Sequence, residues 1–313
     1  MAGVEARTVR YSVNGMSLVA DHRGDPDAAP VLFLHGGGQT RHSWAGSARR
    51  LSDRGWHTVT LDARGHGESE WAPDGDYRLR SMAQDVLEVI DGFASPPLVV
   101  GASLGGLTAI LLEGDLAPGA SAGVVLVDIV PNWNNDGGER VREFMTDRMT
   151  EGFASLQEVA TAVATYNPGR PPPTDLDGLK KNLRHRDGRW YWHWDPHFLT
   201  PAPGNPGGPP GEVADREALM TWTGRIGSPM MLVRGRTSDV VAEADARVFR
   251  QAFPHVEFVD VSGAGHMVAG DRNDVFTDAV VDFLERHHRR ADQSALDGSG
   301  GAGGVQDESN GPV

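Results

Sequence analysis

The sequence predicts an α/β fold in which helices cover both faces of a mainly parallel, eight-stranded sheet. Short apolar runs alternate with helical patterns over 1–130 and again over 222–290, and this alternation is typical of parallel sheets. The predicted strands are 4–13, 16–22, 31–34, 56–61, 98–100, 124–127, 230–233 and 256–261. The predicted helices between them are 41–54, 79–93, 104–113, 241–253 and 273–287.

The individual patterns support these assignments. The first two strands are expected to pair as a hairpin, because Asn14-Gly15 between them is a dipeptide favoured by two-residue turns. The runs 31–34 and 124–127 contain only apolar residues, as expected of strands buried on both faces. The segment 79–93 instead repeats apolar residues every three or four positions, which indicates a helix with one buried face.

A long insertion follows the sixth predicted strand. The stretch 131–221 shows only helical patterns, and we expect it to form a helical cap over the carboxyl edge of the sheet. Residues 1–130 and 222–290 would then form the core. Within the cap, nine of the eleven residues from 201 to 211 are Pro or Gly, which predicts a surface loop. The tail 291–313 is rich in Gly, has no aromatic residue, and is predicted to be disordered.

The charge and the cysteine content of the chain limit the kinds of molecule that it is expected to bind. The 313 residues carry a formal net charge of −14 and include no cysteine. The negative charge opposes binding to nucleic acid and to anionic membranes, and the lack of thiols excludes disulfides and a cysteine nucleophile. The first residues lack the apolar core of a signal peptide, and no apolar stretch is long enough for a membrane span. We therefore expect a cytoplasmic protein that acts on a small molecule, and its oligomeric state is open.

The motif Gly101-Ala-Ser-Leu-Gly-Gly106 is the strongest indication of chemistry. It matches G-x-S-x-G and stands directly after a predicted strand and directly before a predicted helix, the context in which this pattern carries a nucleophilic serine. Glycines allow the turn to close tightly, so the Ser103 hydroxyl is expected to stand above the sheet edge. The alternative is a glycine-rich turn that only packs the helix on the strand.

A serine nucleophile needs a neutral imidazole as its base and an acid that orients the imidazole. His266 lies in a glycine-rich loop after the last predicted strand and is the expected base. Asp239 follows the seventh strand and is the expected acid, while Asp128, directly after the sixth strand, competes for that role. Each carboxylate has the alternative of capping a helix or turn.

The stretch His35-Gly-Gly-Gly38 follows the third predicted strand. Residues without side chains allow backbone N–H groups to face a substrate oxygen. We expect the N–H of Gly37 to donate one hydrogen bond to an oxyanion, and the N–H of Leu104, at a helix N-terminus, to donate the second. Taken alone, three glycines are equally consistent with a simple turn.

Together these pieces resemble the α/β-hydrolase superfamily over 1–130 and 222–290. The matching residues are His35-Gly-Gly-Gly38, Asp62-Ala-Arg-Gly-His-Gly-Glu-Ser69, Gly101-Ala-Ser-Leu-Gly-Gly106, Asp239 and Gly265-His266. The chain is similar to the capped branch that includes serine esterases, cofactor-free haloperoxidases and epoxide hydrolases. The resemblance implies a triad of Ser103, His266 and Asp239, with Gly37 and Leu104 forming the oxyanion hole. Epoxide and haloalkane hydrolases carry Asp at the position of Ser103, which argues against those two chemistries.

Two further stretches contain reactive side chains, and a structural role is expected for both. The stretch 62–69 includes Arg64 and His66, but it resembles a structural turn of the family. His193-Trp-Asp-Pro-His197 includes possible metal ligands, but Pro196 disrupts a regular helical spacing and no further ligand set accompanies them. We predict no metal site and, without a phosphate-binding loop or a G-x-G-x-x-G motif, no organic cofactor.

Tryptophan is concentrated in the cap region, where 131–222 contains five of the eight. Alternation over 190–194 would place three of them on one side of an extended segment. Most of these rings are expected to form the small core of the cap, and one or two to line an apolar pocket. The candidate pocket residues are Trp44, Trp133, Trp192 and Trp194.

The sequence therefore predicts a serine hydrolase that cleaves an ester or lactone of a small, largely apolar substrate through an acyl-enzyme. Two alternatives remain open at this point. The same triad could serve perhydrolysis, as in a haloperoxidase, or hydrolysis of a C–C bond. The other alternative is a ligand-binding protein on the same scaffold, without turnover.

Overall fold

The computed structural model describes residues 5–133, 135–166, 175–200, 216–263, 265 and 275–287. Its strands are β1 (Arg7–Val13), β2 (Met16–Arg23), β3 (Pro30–Leu34), β4 (His57–Leu61), β5 (Leu98–Ala102), β6 (Gly123–Val127), β7 (Leu183–Arg186), β8 (Arg189–Trp192), β9 (Met230–Gly235) and β10 (Glu257–Val261). Its α-helices are α1 (Ala45–Ser52), α2 (Leu79–Ile90), α3 (Leu104–Leu111), α4 (Asn135–Thr146), α5 (Leu156–Tyr166), α6 (Arg216–Arg225), α7 (Glu243–Ala252) and α8 (275–287).

Eight strands form one sheet with the order β1-β2-β4-β3-β5-β6-β9-β10. The first two pairings, β1 with β2 and β2 with β4, are antiparallel, and all the others are parallel. The predicted mainly parallel, eight-stranded α/β sheet is therefore confirmed. The predicted first hairpin is also present, with Asn14 at φ 49° and Gly15 at φ 76° in its turn, the left-handed pair that such a turn requires.

The two faces of the sheet contribute to two separate layers of core. In β3, Leu32 and Leu34 point into the layer formed with α2, α3 and the cap. Val31 and Phe33 point into the layer formed with α1 and α8. The same division repeats in β5, β6 and β9, because successive side chains of a strand face opposite ways. This is why β3, β5 and β6 contain no polar side chain.

The chain between β6 and β9 includes 131–221, the region that is predicted to form the cap and is called the cap below. This part of the chain contains α4, α5, α6, the 3₁₀ turns Asp177–Asn182 and Pro196–Phe198, and the antiparallel hairpin of β7 and β8. Of these elements, α6 packs against α3 of the core. The helical pattern of this region did not predict the hairpin. Its turn is Asp187-Gly188, with φ values of 52° and 74°, so the Asp-Gly dipeptide was the available signal. Phe153 adds a single bridge to Trp190, which joins the hairpin to the start of α5.

Several predicted features lie outside the described residues. These are the Pro/Gly loop 201–211, the tail 291–313, and His266. In the described part of the chain, no helix is both long enough and apolar enough to traverse a lipid bilayer.

Candidate active site

Ser103 occupies the turn between β5 and α3. Its backbone has φ 47° and ψ −114°, a region that non-glycine residues adopt only at a cost of about 1–3 kcal/mol. The Ser103 N–H donates to the carbonyl oxygen of Val127 (3.1 Å), and the Ser103 carbonyl accepts from the N–H of Leu107 (3.0 Å). The turn is thus held by β6 on one side and by α3 on the other, and it leaves the serine side chain partly exposed.

The glycines around Ser103 are required by close backbone approach. A Cβ atom on Gly101 would lie 2.4 Å from the carbonyl oxygen of Gly105, and one on Gly105 would lie 2.4 Å from the carbonyl oxygen of Leu34. A Cβ atom on Gly106 would lie 2.4 Å from a methyl carbon of Ile129. The sharp strand–turn–helix that the G-x-S-x-G pattern predicts is therefore present.

Residues 36–38, here called the glycine loop, lie directly beside this turn. The N–H of Gln39 donates to the carbonyl oxygen of Gly36 (3.1 Å), and Gly38 has φ 72°, as a tight turn with glycine at its third position requires. A Cβ atom on Gly36 would lie 3.4 Å from the Cβ of Ser103. The structure thus brings the two predicted parts of an oxyanion site together, and the donor roles of Gly37 and Leu104 stay predictions.

Two apolar side chains from the cap cover the glycine loop. A Cβ atom on Gly37 would lie 3.7 Å from the ring of Phe198 and 3.8 Å from the sulfur of Met145. Both side chains are buried. No local sequence pattern indicates these two residues, because the packing of the cap on the core decides which of its side chains contact the loop.

Asp128 follows β6 with φ 51° and is fully buried. Its carboxylate accepts a hydrogen bond from the N–H of Gly235 (3.0 Å) and a second from the hydroxyl of Ser238. The backbone N–H of Asp128 donates to the carbonyl oxygen of Val233 (2.8 Å). The carboxylate is therefore held rigidly at the carboxyl edge of the sheet, and Ser103 follows the neighbouring strand.

Asp239 stands in different surroundings. Its side chain is 44% exposed and forms an ion pair with Arg140 of α4 (2.8 Å). Arg140 also donates to the carbonyl oxygen of Tyr166 (3.0 Å). Asp239 thus links the core to the cap, and its role as the triad acid stays a prediction. His266 lies outside the described residues and also stays a prediction.

The candidate pocket tryptophans lie in different parts of the molecule. Trp44 is fully buried between the rings of Phe33 (5.2 Å between centroids) and Phe276 (5.5 Å). It belongs to the core layer formed with α1 and α8, whereas Met145 and Phe198, which cover the glycine loop, belong to the other layer. The structure therefore does not support Trp44 as a pocket residue. No local pattern indicates this, because the contact with Phe276 joins segments that are far apart in the chain.

The other three candidates belong to the cap and its border with the core. Trp192 and Trp194 stack in parallel with 5.0 Å between their ring centroids. Phe153 packs edge-on against Trp192 at 5.0 Å. These rings belong to the core layer that the cap shares with α2 and α3, and the role of the two tryptophans as pocket residues stays a prediction. Trp133 is nearly buried under the guanidinium of Arg216, which lies 5.3 Å from its ring centre.

The stretch 62–69 has a structural role, as expected. The buried carboxylate of Asp62 accepts from the backbone N–H groups of Arg41 (2.7 Å) and Glu68 (3.0 Å), and it pairs with the Arg41 guanidinium. Arg64 pairs with the buried carboxylate of Asp85 at 2.6 Å. These contacts shape a turn that packs against the glycine loop.

The stretch 193–197 joins the cap to the core. Asp195 accepts from the hydroxyl of Tyr77 (2.5 Å), and its backbone N–H donates to the carbonyl oxygen of Gly65 (2.9 Å). His193 accepts from the N–H of Gly67 (2.7 Å). Among the described residues, no group of three or more His, Asp or Glu side chains is arranged to hold a metal ion.

Three histidines near the glycine loop are buried: His35, His66 and His193. Burial lowers the pKa of each imidazole, because the charged form loses its hydration. For His66 the pKa falls to about 3. All three side chains are therefore neutral at physiological pH and act as hydrogen-bonding groups rather than as charges.

The mainly parallel sheet with a serine on the turn after its fifth strand is the arrangement found in α/β hydrolases. A sequence model of the alpha/beta hydrolase family matches residues 31–279 of this chain. The chain belongs to the alpha/beta hydrolase family.

Individual relatives agree with this assignment. Esterase Rv0045c of Mycobacterium tuberculosis is 31% identical over 265 residues, which cover 82% of this chain and 83% of that protein. The sn-1-specific diacylglycerol lipase ABHD11 of Mus musculus is 27% identical over 269 residues, which cover 83% of this chain and 82% of that protein. An alpha/beta hydrolase from Novosphingobium aromaticivorans has a similar solved structure, with a TM-score of 0.73 and 27% identity, over 91% of this chain and 99% of that one.

Proposed function

We propose that the protein is a serine esterase that hydrolyses a carboxylic ester or lactone of a small, largely apolar molecule. The observation that carries this proposal is the position of Ser103, on a left-handed turn directly beside the glycine loop. Two of the similar proteins are named as an esterase and a diacylglycerol lipase, so ester hydrolysis is the activity that the relatives favour.

The proposed reaction proceeds in two halves. The imidazole of His266 takes the proton of the Ser103 hydroxyl as the serine oxygen attacks the ester carbonyl carbon. The N–H groups of Gly37 and Leu104 stabilise the negative oxygen of the tetrahedral intermediate. The intermediate collapses to the acyl-enzyme as the protonated His266 gives its proton to the leaving alcohol. Water, deprotonated by His266, then attacks the acyl carbon. The bond between this carbon and the Ser103 oxygen breaks, His266 returns the proton to Ser103, and the carboxylic acid leaves.

For the acid that orients His266, the geometry favours Asp128 over Asp239. An orienting carboxylate must be fixed in direction, and Asp128 is buried and receives hydrogen bonds from Gly235 and Ser238. Asp239 is partly exposed and already paired with Arg140. The bonds from Gly235 and Ser238 fix the direction of the Asp128 carboxylate, whereas the ion pair with Arg140 competes with an imidazolium for Asp239.

The surroundings of the glycine loop favour an apolar substrate. Met145 and Phe198 cover the loop from the cap side, and neither can hydrogen-bond strongly to a polar acyl group. We therefore expect turnover to favour short aliphatic or aromatic acyl esters over charged ones.

Labelling with a fluorophosphonate, followed by assays on p-nitrophenyl esters of increasing chain length, tests the proposal. The wild-type protein should be labelled at Ser103 and should hydrolyse at least one of the esters. Ser103→Ala should remain folded by circular dichroism and lose labelling, with kcat reduced by up to ~10⁶. If the variant keeps more than a tenth of the activity, Ser103 is not the nucleophile. If the wild type is neither labelled nor active, the serine-esterase proposal is rejected in favour of a ligand-binding role on this scaffold.

A further inference from the structure

Three buried imidazoles from distant parts of the chain pack against one another, with tilted rings, beside the glycine loop. His35 precedes the loop, His66 belongs to the turn 62–69, and His193 comes from the cap. The ring centroids are 5.2 Å apart between His35 and His66, and 5.7 Å apart between His66 and His193. None of the three side chains takes part in the proposed reaction, yet two of them contact the backbone of Gly38.

Gly38 is held from both sides by these rings. Its N–H donates to Nε2 of His66 (3.2 Å), and its carbonyl oxygen lies 3.3 Å from Nε2 of His193. Nδ1 of His193 accepts from the N–H of Gly67 (2.7 Å). Since a neutral imidazole carries one proton, Nε2 of His193 is the protonated nitrogen and donates to Gly38.

The hydrogen bond from His193 to Gly38 is linked to the predicted oxyanion donor, the N–H of Gly37, through planar peptide groups. The Gly38 carbonyl that accepts from His193 shares a peptide plane with the N–H of Gln39. That N–H donates to the carbonyl of Gly36 (3.1 Å), which in turn shares its peptide plane with the N–H of Gly37. Two hydrogen bonds and two rigid planes thus connect the ring of His193 to the direction of the Gly37 N–H. The same Gly36 carbonyl also accepts from Nδ1 of His35 (2.8 Å), so His35 holds the near end of this connection and His193 the cap end.

We propose that His193 is a positioning residue through which the cap sets the direction of the Gly37 N–H in the oxyanion hole. The inference rests on the serine-esterase function proposed above. Glycines impose little conformational preference of their own, so the loop depends on such contacts for its shape. The backbone of His193 is itself tied to the core, because the indole N–H of Trp71 donates to its carbonyl oxygen (3.2 Å).

Two substitutions of His193 each retain one of the two hydrogen bonds that its ring makes, to Gly38 and to Gly67. In His193→Gln the amide nitrogen can stand near the position of Nε2 and still donate to Gly38. In His193→Asn the amide oxygen stands near the position of Nδ1, so it can accept from Gly67 but cannot reach Gly38. The matched control is His185→Asn, an exposed histidine on β7 of the same hairpin.

On the best p-nitrophenyl ester, we expect His193→Asn to lower kcat by roughly 10- to 100-fold with KM changed less than about threefold. A fully lost oxyanion donor costs about 10²–10³ in kcat. His193→Gln should stay within about fivefold of the wild type, and His185→Asn should match it. If both His193 variants lose melting temperature to the same extent but only His193→Asn loses kcat, a merely structural role is excluded. Equal kcat in the two variants would overturn the proposal.

Hydrogen exchange of the peptide containing 36–40 tests the same inference without turnover. Exchange should be faster in His193→Asn than in the wild type, and close to the wild type in His193→Gln. Unchanged exchange in His193→Asn would overturn the positioning role even if the protein proves to be no esterase. Conversely, inactivity of the wild type together with the expected exchange pattern would reject the proposed function and retain the role of His193 in shaping the loop.

Discussion

At the scale of single residues, the site depends on backbone conformations that the chain adopts only under constraint. Ser103 and Asp128 both have positive φ values, 47° and 51°, and both directly follow central strands of the sheet. Each is held by a backbone hydrogen bond to the next strand, to Val127 and Val233 respectively. Such strain of about 1–3 kcal/mol per residue persists only where the surrounding structure enforces it, which is common at active sites.

The two candidate acids give a prediction at this scale. Asp128→Asn should reduce kcat by up to ~10⁴, because the imidazole of His266 loses the group that fixes its tautomer. Asp239→Asn should reduce kcat by less than about tenfold, since an exposed ion pair such as Asp239 with Arg140 contributes about 0–1 kcal/mol. Both variants are compared on one ester after their melting temperatures have been measured. The opposite ranking, on folded proteins, would assign the orienting role to Asp239.

At the scale of elements, the distance between β3 and α3 sets the geometry of the site. The glycine loop continues β3, and the serine turn continues β5, which lies beside β3 in the sheet. Gly105 in the first turn of α3 allows the helix to approach the carbonyl of Leu34. The two halves of the predicted oxyanion hole are therefore held together by backbone contact rather than by side chains.

Gly105→Ala tests this arrangement. Its Cβ would lie 2.4 Å from the carbonyl oxygen of Leu34, so β3 and α3 must move apart, at a cost of about 1–3 kcal/mol or more. We expect a lower melting temperature. We also expect kcat to fall by a larger factor than KM changes, because the glycine loop moves with β3. Gly227→Ala is the matched control, since a Cβ there meets no atom within 4 Å. Wild-type kcat in Gly105→Ala would contradict this account of the site.

At the scale of the whole molecule, the fold buries histidines in their neutral form. Burial lowers the pKa of His35, His66 and His193 near the site. It also lowers the pKa of His22 to about 4 at the far side of the sheet, beside Tyr11. In the unfolded chain each imidazole has a pKa of about 6.5, so unfolding at mildly acidic pH takes up protons.

Stability should therefore fall as the solution becomes acidic. A buried neutral histidine imposes no penalty above about pH 6.5. Below that value the free energy of unfolding falls, because the unfolded chain binds a proton that the folded state does not. The fall is up to about 1.4 kcal/mol per pH unit for each histidine, and it continues until the pH reaches the pKa of the folded state. Urea unfolding between pH 7.5 and pH 4.5 measures this dependence of the free energy of unfolding on pH. From the slope follows the number of protons taken up on unfolding, which should be lower by about one in His193→Gln. A free energy of unfolding that stays constant over this range would contradict the burial of these rings as neutral groups.

Much of this protein is determined by local sequence pattern. The apolar runs of the central strands, the Asn14-Gly15 turn and the glycines around Ser103 each act through their immediate neighbours. Strand burial, turn conformation and the sharpness of the serine turn follow from such short-range physics. The sheet, its first hairpin and the turn that carries Ser103 can therefore be predicted from the sequence.

Other features were decided only by tertiary structure. Asp128 and Asp239 both follow apolar strands, but Asp128 is buried against Gly235 and Ser238, whereas Asp239 is partly exposed and pairs with Arg140 of α4. Trp44 lies in the core, whereas Met145 and Phe198 cover the glycine loop. His193 bonds to Gly38 across 155 positions of sequence. Burial and long-range hydrogen bonds depend on which segments come into contact when the chain folds. Local sequence patterns do not determine those contacts.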